Sequence, residues 1–264
     1  MHPDWLIPQW PAPRGVQAVC TTRAGGQSCV PYDSFNLGDH VGDTPEDVAA
    51  NRTTLAQALG AKPVFLSQVH GTHVKWLGAD TAQGTAADAC MTDQPGLACT
   101  IMVADCLPVL FAHKNGGCVA AAHAGWRGLA GEGGAGVLDA VIERFKALAG
   151  VNKGSDASEV IAWLGPCIGP DAFEVGEEVR AAFVAQDPAA RVLFRPAHVA
   201  APAAPKWLAN LPGLARLRLA ALGVHGVYGN DGQVDWCTVS NTSRFFSYRR
   251  DRVSGRFAAC IWRS

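Results

Sequence analysis

Three side chains that could bind a metal each follow an apolar run of strand-like composition: His70, Cys106 and His123. The runs are residues 64–66, 98–103 and 119–122. If those strands shared one sheet, two imidazoles and a thiolate would meet near its edge. This donor set suits zinc. Three protein ligands leave a fourth position for water or substrate, which is typical of a catalytic metal site and not of a structural one.

The same three residues also permit other interpretations. Cys106 and His123 could form a metal-free hydrolase pair, in which the imidazole activates the thiol to attack an amide. A metal-binding protein without enzymatic activity is a further interpretation. A purely structural one is a buried thiol beside two core histidines. The spacing alone leaves all of these open.

The composition predicts one packed domain over residues 1–264 and excludes some classes of protein. The chain is 48% hydrophobic and 17% charged, which allows a sizeable core. Its formal net charge is −1 and Arg249-Arg250 is the only basic run that stands out, so a nucleic-acid-binding surface is not indicated. No apolar stretch is long enough to span a bilayer, and residues 1–8 do not resemble a signal peptide, so we expect a cytoplasmic protein. The nine cysteines include no CxxC pair, and most are expected to be free thiols.

The elements around the candidate ligands can be predicted from turn residues and apolar spacing. Residues 64–69 and 73–77 are predicted to be the strands of a hairpin that turns at Gly71. Strands at 98–103, 107–112 and 119–122 follow, and Asn115-Gly116-Gly117 indicates a tight turn between the last two. Residues 125–136 contain six glycines and precede a predicted helix with apolar residues between 137 and 148. This loop could cradle an anion, or it could be a flexible turn over the site; neither nucleotide-binding fingerprint fits it.

The remaining segments complete a mixed α/β pattern. Helices are predicted at 44–59, 175–185 and 206–222. Thr44 and Pro45 favour the start of the first, Gly60 favours its end, and Pro212-Gly213 should kink the last helix or mark its start. Further strands are predicted at 16–22, 159–164, 224–228 and 234–239, and a hairpin is predicted from 245–250 and 257–262. Residues 187–206 are expected to form a long surface loop. A single mixed α/β domain is the simplest account of this order.

Several short motifs occur in one order along the chain. They are Thr21-Thr22-Arg23-Ala24-Gly25-Gly26, Phe35-Asn36-Leu37-Gly38, Gln68-Val69-His70-Gly71, Ala87-Asp88-Ala89, Ala104-Asp105-Cys106-Leu107-Pro108, His123-Ala124-Gly125-Trp126-Arg127-Gly128, Phe173-Glu174-Val175 and Phe245-Phe246-Ser247-Tyr248-Arg249-Arg250-Asp251. Together they resemble the YfiH/laccase-domain family, also called the multicopper polyphenol oxidase or purine nucleoside phosphorylase family. The resemblance covers nearly the whole chain.

The resemblance implies a layered α-β-β-α fold and a zinc site made by His70, Cys106 and His123. This fold is similar to that of cysteine hydrolases, which supports the metal-free alternative by analogy only. The implied activity is phosphorolysis of adenosine, inosine, guanosine and methylthioadenosine, with adenosine deamination as a second reaction. Other members are described as copper-dependent phenol oxidases or as peptidoglycan-precursor editing enzymes. Copper is therefore the alternative metal, although eight histidines in total are few for multicopper chemistry.

Four further residues are predicted to contact a nucleoside and phosphate. Arg23, in its glycine loop, is the candidate phosphate contact, because a guanidinium can bind phosphate through two hydrogen bonds. Asn36 and Gln68 are candidates for hydrogen bonds to hydroxyl groups or to the base. Arg127 is either a substrate contact or part of a structural ion pair. The chain departs from the expected family pattern at Asn210, where an Asp is expected, and in a longer loop at residues 131–134.

Overall fold

The computed structural model describes residues 1–149, 157–197 and 205–264. Its strands are β1 (Val16–Cys20), β2 (Lys62–Ser67), β3 (Val74–Trp76), β4 (Thr85–Ala86), β5 (Ala89–Thr92), β6 (Leu97–Val103), β7 (Leu107–His113), β8 (Val119–Ala124), β9 (Val160–Leu164), β10 (Glu174–Gly176), β11 (Phe194–Pro196), β12 (Lys206–Ala209), β13 (Gly226–Gly229) and β14 (Phe257–Arg263). Its helices are α1 (Pro45–Leu59), α2 (Trp126–Ala130), α3 (Val137–Ala149), α4 (Glu177–Gln186), α5 (Leu211–Ala221) and α6 (Tyr248–Asp251). Short 3₁₀ helices lie at Ala157–Glu159, Pro188–Leu193 and Val234–Trp236.

Two large mixed sheets face each other. The first has the strand order β1-β14-β6-β2-β4 and the second has the order β13-β9-β7-β8-β5-β3. A small third sheet has the order β10-β12-β11. The predicted pairing of β7 with β8 is confirmed, and its antiparallel register places Pro108 opposite His123.

The strands alternate their side chains between layers, as two packed sheets require. In β2, Val64 and Leu66 enter the core between the sheets, whereas Phe65 enters a core on the opposite face. In β7, Leu110 lies between the sheets and Phe111 faces the helices. The core outside the first sheet includes residues of α1, and the core outside the second includes residues of α3, α4 and α5. The α-β-β-α layering that the resemblance implied is therefore confirmed.

Local sequence explains the bounds of α1. Pro45 occupies the first turn, where its missing N–H costs nothing, and Gly60 ends the helix with a φ of 61°. Thr44 was predicted to cap with its side chain but makes no such bond. In α5, Asn210 does cap: its side chain accepts a hydrogen bond from the Gly213 N–H. The helix predicted at 206–222 thus starts after Asn210, and residues 206–209 form β12 instead.

Three predictions about strands and their pairing are wrong. The strands around Gly71 form no hairpin, because β2 belongs to the first sheet and β3 to the second. Residues 245–250 form no strand, and β14 pairs instead with β1 and β6. Residues 234–236 form a 3₁₀ helix instead of a strand. An apolar run shows that a segment is buried but does not identify its partner strand.

The segment expected to be a loop at 187–206 contains the second 3₁₀ helix and β11, and its residues 198–204 lie outside the described part of the chain. Within the described residues, no helix combines the length and the apolar character needed to cross a membrane.

Candidate metal centre and its cavity

The three candidate ligands converge from opposite sheets. His70 lies in the connection after β2, Cys106 lies in the turn between β6 and β7, and His123 lies within β8. Their ligand atoms all lie within 4.8 Å of one another. The Cys106 Sγ atom is 3.7 Å from His70 Nε2, and the two imidazole rings meet edge to face with centroids 4.7 Å apart. The expectation that their strands share one sheet is wrong, because β2 and β6 are neighbours in the first sheet and β8 belongs to the second.

A single buried carboxylate holds both histidines. Asp88 Oδ1 accepts hydrogen bonds from the His70 N–H at 2.8 Å and from His123 Nδ1 at 2.9 Å. Its Oδ2 accepts from the Gly71 N–H at 2.7 Å and from the Val69 N–H at 3.2 Å. Because Nδ1 of His123 is bonded to Asp88, its Nε2 is left for Cys106 and a metal. A carboxylate in this position fixes the tautomer and orientation of a ligand histidine.

The protonation state of Cys106 suits metal binding, whereas His123 must lose a proton to become a ligand. Burial raises the pKa of Cys106, but the charge and hydrogen bond of His123, together with His70, outweigh it and lower the pKa to about 6. Burial lowers the pKa of His123, but Cys106 and Asp88 outweigh that effect and raise it to about 9. The metal-free cluster therefore contains a thiolate beside an imidazolium at neutral pH. The thiolate is the form of cysteine that binds metal.

The glycines after His123 are required by close packing. A Cβ atom at Gly125 would lie 2.9 Å from both Cys106 Sγ and His70 Cδ2. A Cβ atom at Gly128 would lie 2.9 Å from the Gly71 carbonyl oxygen. Residues 126–130 form the short helix α2, so this part of the glycine-rich segment is not a flexible turn. These glycines let β8 and α2 approach the ligands closely.

The cluster opens into a cavity of about 600 Å³, a size usual for small-molecule sites. Besides the three candidate ligands, its walls include the aromatic residues Trp126, Phe173 and Tyr248, the arginines Arg249, Arg252 and Arg256, and the polar residues His40, Gln68 and Asp105. A more open groove of about 750 Å³ beside α1 contains none of the candidate ligands. The cavity beside the candidate ligands is therefore the candidate site of the chemistry.

Strained backbone conformations gather at this cavity. Three residues other than glycine have a positive φ in the described chain, namely His70 (62°), Asp105 (95°) and Arg252 (62°). All three line the cavity. Such conformations cost energy and concentrate at functional sites. Asp105 is also anchored by its side chain, which accepts hydrogen bonds at 2.6 Å from Thr238 Oγ1 and from the Arg249 N–H.

Two of the predicted substrate contacts are engaged within the protein. Gln68 lines the cavity, but its amide bridges both the N–H and the C=O of Met102, each at 2.8 Å. Asn36 is fully buried and its Oδ1 accepts from the N–H groups of Gly38 and Arg256. Asn36 thereby positions the backbone of a cavity arginine and does not itself line the cavity.

The two predicted arginines do not line the cavity. Arg23 donates to the carbonyl oxygens of Asp33 and Thr242 and forms an ion pair with the Asp33 carboxylate at 3.1 Å. Its guanidinium also lies 5.0 Å from the ring centroid of Phe246. These contacts show that Arg23 links the segments around Asp33 and Thr242 and is not free to bind phosphate. Arg127 is exposed and stacks on the Trp126 ring at 4.6 Å.

Sequence reasoning missed the two aspartates and the three arginines of the site. Asp88 and Asp105 were quoted within motifs, and the signal that could have singled them out is an acidic residue between apolar strands. Such a residue is rarely buried unless it is paired. Arg249 stands in the motif Phe245-Phe246-Ser247-Tyr248-Arg249-Arg250-Asp251 and in the one basic run that stands out, but neither observation indicates contact with a substrate.

Fold and site together define a mixed α/β protein of two facing sheets, with a His/Cys/His cluster that could hold a metal ion in the cavity between them. The family model described as multi-copper polyphenol oxidoreductase laccase matches residues 17–264. The chain therefore belongs to the laccase-domain family, which includes the YfiH proteins.

Similar proteins are known by name and by structure. A protein of Pseudomonas aeruginosa named purine nucleoside phosphorylase is 49% identical over 98% of both chains. Escherichia coli YfiH, which carries the same name, is 47% identical over 97% of this chain and 98% of its own. The crystal structure of a Neisseria meningitidis protein aligns with a TM-score of 0.85 at 43% identity and covers 99% of each chain.

Proposed function

We propose that this protein is a zinc-dependent purine nucleoside phosphorylase that acts on adenosine, inosine, guanosine and methylthioadenosine. The observation that carries the proposal is a His/Cys/His cluster that opens into a cavity lined by aromatic residues and arginines. The chain is also about half identical to proteins named for this activity. Deamination of adenosine is a second reaction that we expect of the same site.

In phosphorolysis, an oxygen of phosphate bonds to C1′ of the ribose as the bond from C1′ to the purine nitrogen breaks. The chain must hold the anion and the nucleoside in line and keep water out. Trp126, Phe173 and Tyr248 supply apolar faces on which a purine can pack.

The donor set supports zinc over copper. His70, Cys106 and His123 would hold the ion, and Asp88 would orient His123. When bound, Zn²⁺ supplies a Lewis acid with an open coordination position. A mononuclear copper site with these ligands commonly adds a weak axial methionine. Met102 packs in the core beside α1, with its Sδ 3.9 Å from a nitrogen of Arg52, so its thioether is engaged outside the cluster.

A metal-free Cys-His hydrolase acting on an amide of peptidoglycan precursors is the second candidate. It is favoured by the thiolate at Cys106, whose pKa is lowered to about 6 beside His123. A thiolate next to an imidazolium is the usual form of an activated cysteine nucleophile. A covalent intermediate at Cys106 in protein freed of metal would support this candidate.

The test is an incubation of purified protein of known metal content with adenosine and inosine, with and without phosphate. We expect free base and ribose 1-phosphate only when phosphate is present, and no product from the Cys106→Ala variant. Inosine formed from adenosine without phosphate would demonstrate the second reaction. Zinc-loaded protein that converts neither nucleoside would refute the proposal.

A further inference from the structure

We propose that Arg249, Arg252 and Arg256 form the subsite that holds inorganic phosphate, on the cavity wall formed by residues 248–256. This inference rests on the proposed phosphorolysis and adds the location of its anion. Arg23, the phosphate contact expected from the sequence, is bonded to Asp33 and lies outside the cavity. Every lysine or arginine that lines the cavity belongs to this trio.

The three guanidinium groups are distinguished by what they do not contact. Six other arginines of the described chain form ion pairs with a carboxylate, including the adjacent Arg250, which pairs with Asp251. The three cavity arginines have no such partner within the described residues. Arg249 and Arg256 are partly buried and Arg252 is exposed. A partly buried cation without an ion-pair partner favours a bound anion, because desolvation is costly for an unpaired charge.

Backbone carbonyl groups hold two of the arginines by one nitrogen each. Nη1 of Arg249 donates to the Glu174 carbonyl oxygen at 3.0 Å. Nη1 of Arg256 donates to the carbonyl oxygens of Ser254 and Gly255 at 2.8 and 3.0 Å. In both, Nε and Nη2 make no hydrogen bond within the described chain, and this edge of a guanidinium is suited to two oxygens of a phosphate.

Neighbouring residues hold the backbone and side chains of Arg256 and Arg249 in place. The Arg256 N–H donates to Asn36 Oδ1 at 2.8 Å, and a Cβ atom at Gly38 would lie 2.8 Å from Arg256 Cγ. The Arg249 N–H donates to Asp105, and its guanidinium lies 5.7 Å from the ring centroid of Phe173. Such support lowers the entropy lost when a ligand is bound.

The charge balance of the cavity also favours an anion. Its single carboxylate is Asp105, whose two oxygens both accept hydrogen bonds, from Thr238 and from the Arg249 N–H. Apart from the candidate metal ligand Cys106, the three arginines therefore face one acidic group, and each of its oxygens already accepts one hydrogen bond. Phosphate bound by these arginines would lie in the same cavity as the candidate metal ligands. A nucleoside bound between the phosphate and those ligands could be attacked by a phosphate oxygen.

The test measures binding of inorganic phosphate by calorimetry to the zinc-loaded protein, at constant ionic strength and without nucleoside. The variants are Arg249→Ala and Arg252→Ala, and the control is Arg14→Ala, which removes an exposed arginine far from the cavity walls. We expect each cavity variant to raise the Kd for phosphate about 10- to 100-fold, as loss of a hydrogen bond to a charged group does. We expect the control and the zinc content to stay unchanged.

The outcomes separate this subsite from the proposed function. Variants with an unchanged Kd, or wild-type protein that binds no phosphate, would overturn the subsite even if phosphorolysis is observed. Loss of phosphate binding in the variants would support it even if the wild type turns over no nucleoside. Binding of adenosine 5′-monophosphate tests whether the arginines hold the phosphate group of a nucleotide instead of inorganic phosphate. If the variants weaken binding of the nucleotide but not of inorganic phosphate, the inference is wrong. Arg252 is exposed, so its variant should fold and keep the test decisive.

Discussion

Replacing Asp88 with Asn should weaken zinc binding, because the carboxylate serves four donors that an amide cannot serve together. One oxygen accepts from the His70 N–H and His123 Nδ1, and the other accepts from the N–H groups of Gly71 and Val69. An asparagine has one acceptor and one NH₂ group. In either amide orientation its NH₂ group faces two donors, so one pair of hydrogen bonds is lost.

The size of the effect follows from that geometry. Two N–H groups left without an acceptor at a buried position cost about 1–3 kcal/mol each. If the amide oxygen faces the histidines, the loop at Gly71 loosens; if it faces the loop, His123 loses the bond that sets its tautomer. Changes to a carboxylate that supports a ligand histidine lower metal affinity by about 10- to 100-fold. We expect a loss in that range together with a lower unfolding free energy.

The assay is competition for zinc against a chelator of known affinity, with folding of the variant confirmed by circular dichroism. Asp139→Asn is the matched control: Asp139 is also a largely buried carboxylate, bonded to the Gly136 N–H and to Arg218, but it lies away from the cavity. It should lose stability and keep its zinc affinity. Zinc affinity of Asp88→Asn within threefold of the wild type would refute the reasoning.

Three further predictions concern the same site. In metal-free protein, the rate of Cys106 alkylation should rise with pH around a midpoint of about 6, because the reactive thiolate is lost as the pH falls through the pKa of Cys106. Zinc should suppress the reaction. A midpoint near 9 would contradict the lowered pKa of Cys106. Gly125→Ala should abolish zinc binding, since its Cβ would lie 2.9 Å from the Cys106 sulfur, whereas the control Gly78→Ala, with its nearest atom at 3.9 Å, should bind normally. Gln68→Ala should lower the unfolding free energy in urea by about 1–3 kcal/mol through the loss of two hydrogen bonds at the end of β6.

The three candidate metal ligands could be predicted from the sequence because their motifs resemble those of the laccase-domain family, whereas their spacing alone left other interpretations open. His70, Cys106 and His123 do come together in the structure. The layered fold followed from the resemblance. The distribution of strands between two sheets could not be predicted, because β2, β6 and β8 have the same buried apolar character in either sheet.

The arginines show why the substrate contacts could not be predicted. By sequence alone, Arg23 beside glycines and Arg249 beside aromatic residues could each bind phosphate. The difference lies in distant partners. Asp33 and Thr242 occupy the guanidinium of Arg23, whereas no carboxylate of the described residues forms an ion pair with the guanidinium of Arg249. Partners of that kind depend on how the chain folds back on itself, which local patterns do not encode.

Asp105 connects the two sides of the cavity. Asp105 immediately precedes the candidate ligand Cys106 and has a backbone φ of 95°. Its carboxylate accepts a hydrogen bond from the N–H of Arg249, the first of the three cavity arginines. Asp88 has the matching task on the opposite side, where it holds His70 at a φ of 62°. Hydrogen bonds of the Asp88 carboxylate thus fix His70, and those of its own carboxylate fix Asp105.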